Sequence, residues 1–165
     1  MNDITVRNDY ALITGASAGL GAEFARQLAA AGHNLILVAR REDRLSALAE
    51  ELRAAHKIDC QLVVADLSEP GAGAQISSTC VSSGWQVSWL INNAGVAGPD
   101  LLKDRDWAAQ RTFFQLMMLS VADLCHRVIP DMAERGFGRV INVASVAARV
   151  PRSGGCNYGP AKAYL

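Results

Sequence analysis

Tyr158 and Lys162 lie four positions apart in the segment YGPAK. Residues at i and i+4 share one face of a helix, so these two side chains can act on the same ligand. A free tyrosine has a pKa of about 10, and a neighbouring cation favours its phenolate form. The pair therefore predicts proton transfer to or from a bound substrate. The alternative is a surface tyrosine beside a solvated lysine.

A glycine-rich stretch, TGASAGLG at positions 14–21, connects a short apolar run to a helical pattern. Gly15 allows a sharp exit from a strand, and Gly19 allows a ligand to approach the backbone. Gly21 allows close packing of a helix on a sheet. The amides at the start of that helix attract a pyrophosphate, aided by the helix dipole. Because the stretch lies between a predicted strand and a predicted helix, it favours dinucleotide binding over an ordinary turn.

Two arginines follow the second apolar run, in LVARRED at positions 37–43. Ala39 stands where a carboxylate would bind a free ribose 2′-hydroxyl, and Arg40 and Arg41 come next. Arginine binds phosphate in a planar, bidentate geometry, so this pattern favours NADP(H) over NAD(H). The alternative is a solvated loop whose charges are balanced by Glu42 and Asp43.

Five short apolar runs alternate with helical patterns along the chain and must position these residues. The runs are YALITG, NLILVA, CQLVVAD, VSWLIN and RVINVAS. None alternates strictly between apolar and polar residues, which indicates strands buried on both faces of a parallel sheet with helices on each side. With right-handed crossovers this becomes a doubly wound, Rossmann-like α/β sheet. We expect a single NAD(P)-binding domain over residues 1–165.

The helical patterns predict which side chains face the sheet. The expected inward residues are Leu20, Phe24, Leu28 and Ala31 in the first helix, Leu45, Leu48 and Leu52 in the second, Ile76, Cys80 and Val81 in a weak third, and Phe113, Met117, Val121, Leu124 and Val128 in a long helix over about 107–134.

Composition excludes several classes of function. Lys plus Arg and Asp plus Glu number 16 each, so no net charge favours nucleic acid or acidic membranes. The N-terminus lacks the pattern of a secretory signal, and no apolar run approaches the roughly 18 residues that span a bilayer. The four cysteines are scattered without metal-ligand spacing, which predicts a reduced, cytoplasmic protein without a metal site.

Taken together, these motifs resemble the classical short-chain dehydrogenase/reductase family. NNAG at positions 92–95 follows the fourth predicted strand, as it does in that family. The other matching positions are Thr14, Gly15, Gly19 and Gly21 for TGxxxGxG, Asp66 and Leu67 where the family holds adenine, Ser145 at the end of the fifth strand, and Tyr158 and Lys162 for YxxxK. The resemblance extends over essentially the whole chain.

The resemblance implies hydride transfer between a nicotinamide and a small carbonyl or alcohol substrate. Ser145 would hydrogen-bond the carbonyl, Tyr158 would donate its proton, and Lys162 would favour the phenolate and bind the ribose. The implied cofactor-binding residues are Gly15, Ser17, Gly19, Leu20, Gly21, Arg40, Arg41, Asp66, Leu67, Asn93, Ala94, Gly95, Tyr158 and Lys162. The resemblance also implies a possible homo-oligomer.

Two departures from the family pattern carry consequences. The family usually has an asparagine in its long helix, as part of a proton relay, and the expected position holds Met117. Family members also continue through the tyrosine's helix and two more parallel strands. We therefore expect a chain truncated within the helix that starts near Tyr158, lacking the last strands, with the fifth strand as an exposed apolar edge.

These departures leave two alternatives to an active reductase. One is a cofactor-binding protein with weak or no catalysis, and the other is an interaction protein that uses the exposed edge and the long helix. The epimerase or dehydratase branch of the superfamily typically carries TGxxGxxG, which differs from the spacing here. The substrate is left open, because the family's specificity loop follows position 165.

Overall fold

The computed structural model describes residues 9–150 and 156–165. Its centre is a five-stranded sheet in the order β3-β2-β1-β4-β5, in which every neighbouring pair is parallel. The strands are β1 (Asp9–Thr14), β2 (Asn34–Ala39), β3 (Cys60–Val64), β4 (Gln86–Asn92) and β5 (Arg139–Asn142). The strand order reverses between β1 and β4, and such a switch point opens a crevice at the carboxyl ends of the strands. The predicted doubly wound α/β sheet is confirmed.

Within the described residues, six α-helices connect or flank the strands. They are α1 (Gly19–Ala30), α2 (Glu42–His56), α3 (Ala72–Ser82), α4 (Trp107–Phe114), α5 (Ser120–Glu134) and α6 (Tyr158–Tyr164). A π-helical turn, Gln115–Leu119, joins α4 to α5, and a 3-10 turn, Val146–Ala148, precedes α6. The predicted long helix is thus present, with a π turn in its middle.

The core has one layer on each face of the sheet. On one face Leu12 and Leu90 pack with Ile76 of α3 and Leu124 of α5. On the other face Ile13 and Leu37 pack with residues of α1 and α2. Consecutive residues of β1 and β2 therefore face opposite layers, and both layers are apolar. This two-sided burial is why the strands read as continuous apolar runs.

The predicted inward face of α1 is wrong at Leu20, which is 62% exposed, and at Ala31, which caps the end of the helix and is exposed. The helix buries its small residues instead, namely Gly21, Ala22, Ala25 and Ala29. The physical reason is the close approach of the helix to the sheet: a Cβ on Gly21 would overlap the carbonyl oxygen of Gly15. Small side chains therefore fill the layer next to the loop and the sheet, whereas Phe24 and Leu28 pack half-buried at the margin of the core.

The inward faces of the other helices are confirmed except at Val81, which is 72% exposed. Val81 follows the buried Cys80 directly, and neighbouring residues differ by about 100° around a helix. The short helix α3 buries only a narrow face, on which Ile76 and Cys80 lie. The stripe predicted for the long helix is buried throughout.

The long helix is the one candidate membrane span among the described residues. By length and composition alone, Trp107–Glu134 could cross a bilayer, which differs from the prediction that no apolar run is long enough. Its apolar stripe, however, packs against the sheet and against α6, with Leu124 in one cluster and Met117 in another. These contacts are those of a core helix.

Strand β5 lies at the edge of the sheet and is covered much less than the others. Arg139, Val140 and Asn142 are exposed and Ile141 is half-buried, whereas five of the six residues of β1 and of β2 are buried. The expected exposed edge is therefore present in the described part of the chain.

Candidate active site

The glycine loop occupies the carboxyl end of β1, at the switch point of the sheet. Gly15 and Gly19 have positive φ angles of 67° and 57°, a conformation that glycine adopts without steric cost. A Cβ on Gly21 would lie 2.6 Å from Nδ2 of Asn93 and would overlap the Gly15 backbone. The loop thus leads directly into the first turn of α1, whose free amides can bind an anion.

The segment 92–95 is tied to this loop by hydrogen bonds. The side-chain amide of Asn93 donates to the Thr14 carbonyl oxygen at 2.9 Å. In return, the Thr14 hydroxyl oxygen accepts from the backbone amides of Asn93 at 3.0 Å and Ala94 at 3.1 Å. The carboxyl ends of β1 and β4 are therefore held together, which places the two predicted motifs side by side.

The first cleft, with a volume of about 360 Å³, lies along the glycine loop. It brings together ten of the predicted cofactor-binding residues, namely Gly15, Ser17, Leu20, Arg40, Arg41, Asp66, Leu67, Asn93, Ala94 and Gly95. Gly19 and Gly21 do not line it; the first shapes the turn and the second is buried where α1 meets the sheet. We call this space the cofactor cleft.

Both arginines lie at the mouth of the cofactor cleft. Arg41 donates from Nη2 to the Ser17 hydroxyl at 2.9 Å, and Arg40 contacts the Asp66 carboxylate at 3.4 Å. Burial alone would raise the pKa of Asp66, but hydrogen bonds from Ser68 and the charge of Arg40 outweigh it and hold that pKa below its usual value. An ionised Asp66 and two guanidinium groups therefore surround this end of the cleft.

A second and larger cleft, of about 960 Å³, opens beside the first beyond the carboxyl ends of β4 and β5. Ser145, Tyr158 and Lys162 all line it, so the structure brings the three predicted catalytic residues together. We call this space the substrate cleft. Four residues line both clefts and form a shared wall, namely Leu20, Asn93, Gly95 and Val96.

Lys162 is buried behind the substrate cleft, with only 5% of its surface exposed. Its ammonium donates to the Val143 carbonyl oxygen at 2.6 Å and lies 5.8 Å from the centre of the Tyr158 ring. Burial lowers the pKa of Lys162 below its ordinary 10.5. The lysine is thus a desolvated cation next to the tyrosine, rather than a solvated surface residue.

Ser145 caps the 3-10 turn that leads toward α6. Its Oγ accepts a hydrogen bond from the Ala147 amide at 3.2 Å. A hydroxyl has one donor and two acceptor positions, so this cap leaves the O–H of Ser145 available to a ligand in the cleft. Capping and ligand binding are therefore compatible roles for the same side chain.

Sequence reasoning missed several contributors to these clefts. The Val143 carbonyl holds Lys162, and a backbone group of this kind carries no signal in the residue types. Asp100 and Cys156 form an isolated antiparallel bridge that closes one side of the substrate cleft, and Val96 completes the shared wall. These positions come from segments distant in sequence, and no spacing rule connects them.

The chain was compared with protein families and known proteins. The model of the short chain dehydrogenase family matches residues 9–165. The sulfoacetaldehyde reductase 2 of Chromohalobacter salexigens is 36% identical over 160 residues, covering 96% of this chain and 63% of the relative. A very-long-chain 3-oxoacyl-CoA reductase of Aspergillus clavatus is 32% identical, covering 96% of this chain and 47% of the relative.

Two solved structures of dehydrogenases are also similar to this chain. The bulky-bulky ketone specific alcohol dehydrogenase from Comamonas testosteroni superimposes with a TM-score of 0.87 at 32% identity, covering 94% of this chain and 62% of that one. A short-chain dehydrogenase from Sphingobium yanoikuyae in complex with NADPH has a TM-score of 0.87 at 33% identity, covering 95% and 61%.

The chain spans 63% of one of these curated relatives and about half of the other. The family match nevertheless extends over the glycine loop, both clefts and α6. Together with the parallel sheet and its switch point, this match leads to one conclusion: the chain belongs to the short chain dehydrogenase family.

Proposed function

We propose that this chain binds NADP(H) and forms the cofactor-binding and catalytic part of an oxidoreductase that acts on a carbonyl or alcohol compound. One observation carries the proposal: Ser145, Tyr158 and Lys162 line a cleft that shares a wall with the cleft along the glycine loop. A substrate in one cleft and a dinucleotide in the other would therefore meet at Gly95 and Val96.

The cofactor cleft fits a dinucleotide on its own features. A Cβ on Gly15 would lie 2.9 Å from the Ala94 backbone, and α1 begins directly behind the loop with no acidic residue in its first turn. The start of this helix therefore attracts a pyrophosphate without competition from a carboxylate. When bound, the nicotinamide supplies or accepts the hydride.

The proposed roles of the three catalytic residues follow from their surroundings. Ser145 donates its O–H to the substrate oxygen, and Tyr158 donates a proton to that oxygen in reduction or removes it in oxidation. The Lys162 ammonium stabilises the negative charge that develops on the phenol oxygen, an effect strengthened by burial. The Val143 carbonyl orients the ammonium for this role.

The preference for NADP(H) is proposed from the two arginines. Arg41 reaches Ser17 across the mouth of the cofactor cleft, where a guanidinium can bind a ribose 2′-phosphate in bidentate fashion. The structural relative from Sphingobium yanoikuyae, which is described in complex with NADPH, supports the same choice. NAD(H) lacks that phosphate and would bind more weakly.

The proposed substrate is a small or medium compound with an apolar group next to its carbonyl. The described lining of the substrate cleft includes Val96, Val146, Val150 and Ala147, and Asp100 is its one carboxylate. The free thiols at Cys60, Cys80, Cys125 and Cys156 are consistent with the proposed cytoplasmic location.

A second candidate function is cofactor binding with weak catalysis. It is favoured by Met117, which holds the position of the family's asparagine, and by the exposed edge at β5. A fluorescence titration with NADPH, with NADH as the control, tests the binding that both candidates share. Saturable binding that prefers NADPH supports it, and absence of binding to either nucleotide overturns both candidates.

Turnover separates the two candidates. We expect NADPH oxidation with a panel of apolar ketones, and we expect Tyr158→Phe to lower it by about 100-fold or more. Tyr164→Phe removes an exposed hydroxyl from the same helix and serves as the matched control. NADPH binding without turnover in the wild type would select the second candidate, and retained turnover in Tyr158→Phe would remove Tyr158 from its proposed role.

A further inference from the structure

Two residues of the wall shared by the two clefts, Gly95 and Val96, lack the hydrogen bonds to Thr14 that hold Asn93. Gly95 has no side chain, and both Gly95 and Val96 are exposed toward the clefts. The bonds between Thr14 and the preceding segment end at Ala94. Beyond that point, the position of the wall depends on contacts from the side opposite the clefts.

Met117 makes these contacts. Its Sδ accepts a hydrogen bond from the Val96 amide at 3.4 Å. A Cβ built on Gly95 would lie 3.2 Å from the same sulfur, 3.4 Å from the Met117 methyl and 3.8 Å from the Lys162 ammonium. The thioether and the ammonium thus occupy the space immediately over Gly95. Met117 is 1% exposed, so this position is protected from solvent.

The π turn and the neighbouring helix fix the position of Met117 itself. Met117 lies at the centre of the turn Gln115–Leu119, and π turns occur frequently at functional sites. Its side chain packs in a small cluster with Phe113 of α4 and Ala161 of α6. The same helix that carries Tyr158 and Lys162 therefore supports the methionine that contacts the shared wall.

We propose that Met117 is a positioning residue that holds Gly95 and Val96 in the conformation that binds the nicotinamide end of the cofactor. This inference rests on the proposed cofactor function. Sulfur is a weak hydrogen-bond acceptor, so the bond contributes little to folding. The same small free energy acts on binding, because cofactor affinity scales with the fraction of molecules whose wall is already in the binding conformation.

The test compares two leucine substitutions on the same long helix. Met117→Leu keeps the volume and apolar character but removes the acceptor, and such exchanges are usually well tolerated. Met132→Leu is the matched control, because Met132 is also buried but lies at the far end of α5, against Gly138. Both variants are compared with the wild type by urea unfolding, amide exchange and NADPH titration.

Met117→Leu should exchange the Val96 amide several-fold faster than the wild type before any cofactor is added. It should raise the Kd for NADPH by about twofold to threefold, the low end of the loss expected for one hydrogen bond, because sulfur is a weak acceptor. Met132→Leu should leave both quantities unchanged. In protein labelled at its methionine methyl groups, NADPH should shift the Met117 signal and leave the Met132 signal in place.

The outcomes separate this inference from the proposed function. If the wild type binds NADPH and Met117→Leu matches it in both affinity and Val96 exchange, the positioning role is wrong and the proposed function stands. If the wild type does not bind NADPH, the proposed function fails and the inference fails with it. Equal losses of affinity in both variants would indicate a general effect on helix stability and would also overturn the positioning role.

Discussion

Two regions of the molecule are held in different ways: the glycine-loop half (β1, α1 and β2) and the half that carries the proposed catalytic residues (β5 and α6). In the first half the strands are buried on both faces, and the loop is enclosed by backbone on two sides. In the second half β5 is an exposed edge strand, and Ser145 and Lys162 are each held by one side-chain bond to nearby backbone.

This difference predicts how each half responds to amino-acid substitutions. The shape of the cofactor cleft is set by backbone packing, so small additions of volume in the glycine loop disturb both fold and binding. The geometry of the substrate cleft is set by a few polar side chains. Substitutions there should alter protonation and turnover with little effect on the rest of the fold.

The largest effect is expected from Gly21→Ala, which places a methyl group against the Gly15 carbonyl. Overpacking of this kind costs about 1–3 kcal/mol of unfolding free energy, and we expect NADPH affinity to fall by at least about tenfold. Gly84→Ala is the control for NADPH binding: its positive φ of 69° strains an alanine there and lowers stability, but no atom lies within contact distance of a Cβ and the position does not line the cofactor cleft. Thermal unfolding measures the loss of stability, and NADPH titration measures the loss of affinity. Equal NADPH affinity in the two variants would contradict the conclusion that backbone packing sets the shape of the cofactor cleft.

The next largest loss of NADPH affinity is expected at the mouth of the cofactor cleft. Arg41→Ala should raise the Kd for NADPH by about tenfold, because a hydrogen bond to a charged group is lost, while the Kd for NADH changes by less than about twofold. Arg44→Ala removes the same charge from an exposed position on α2 and is the control. If Arg41→Ala raised the Kd for NADPH and the Kd for NADH by the same factor, the proposed phosphate recognition by Arg41 would be wrong.

A smaller effect, on the unfolding free energy, is expected at the start of β1, the end of the strand away from the cofactor cleft. The Tyr10 hydroxyl donates to the Asp59 carboxylate at 2.6 Å. Burial alone would raise the pKa of Asp59, but the bonds from Tyr10 and Gln61 outweigh it, and the pKa lies below its usual 3.8. The stabilisation therefore exists above about pH 3.8 and is lost as the pH falls through the lowered pKa.

Tyr10→Phe should accordingly lower the unfolding free energy by about 1–2 kcal/mol at pH 7. The difference from the wild type should shrink as the pH falls below 3.8, where the carboxylate becomes protonated in both proteins. Urea unfolding over a pH series measures this, with Tyr164→Phe as the control. A difference that does not depend on pH would assign the loss to packing of the Tyr10 ring instead.

The smallest effect concerns the pH dependence of the unfolding free energy at Lys162. Because burial lowers the pKa of Lys162, the folded state releases its proton at a lower pH than the unfolded state does. The unfolded state then binds more protons between the lowered pKa and 10.5, so the unfolding free energy rises with pH in that window. Lys162→Met should abolish this rise, as measured by urea unfolding between pH 7 and 10. An identical slope in both proteins would show that Lys162 is solvated.

Much of this architecture could be predicted from residue types and their order. Continuous apolar runs predicted five strands buried on both faces, since burial on both sides leaves no place for polar alternation. The glycine spacing predicted a strand–turn–helix junction, since only glycine adopts the required turn without strain. The periodic pattern placed Leu20, Ala31 and Val81 on the wrong face, because it reports neither how closely a helix approaches the sheet nor where the helix ends.

The sequence by itself therefore determined the order of strands and helices, the glycine turn and the presence of Tyr158 and Lys162 on one helix. Only the tertiary structure decided that Lys162 binds the Val143 carbonyl, that two clefts share Gly95 and Val96, and that Met117 contacts that wall. The physical reason is that local spacing specifies secondary structure. Contacts between residues far apart in the sequence, such as Lys162 with Val143, depend on how the sheet and helices pack. Several of these contacts use backbone amides or carbonyls, which every residue type has, so the residue types do not reveal them.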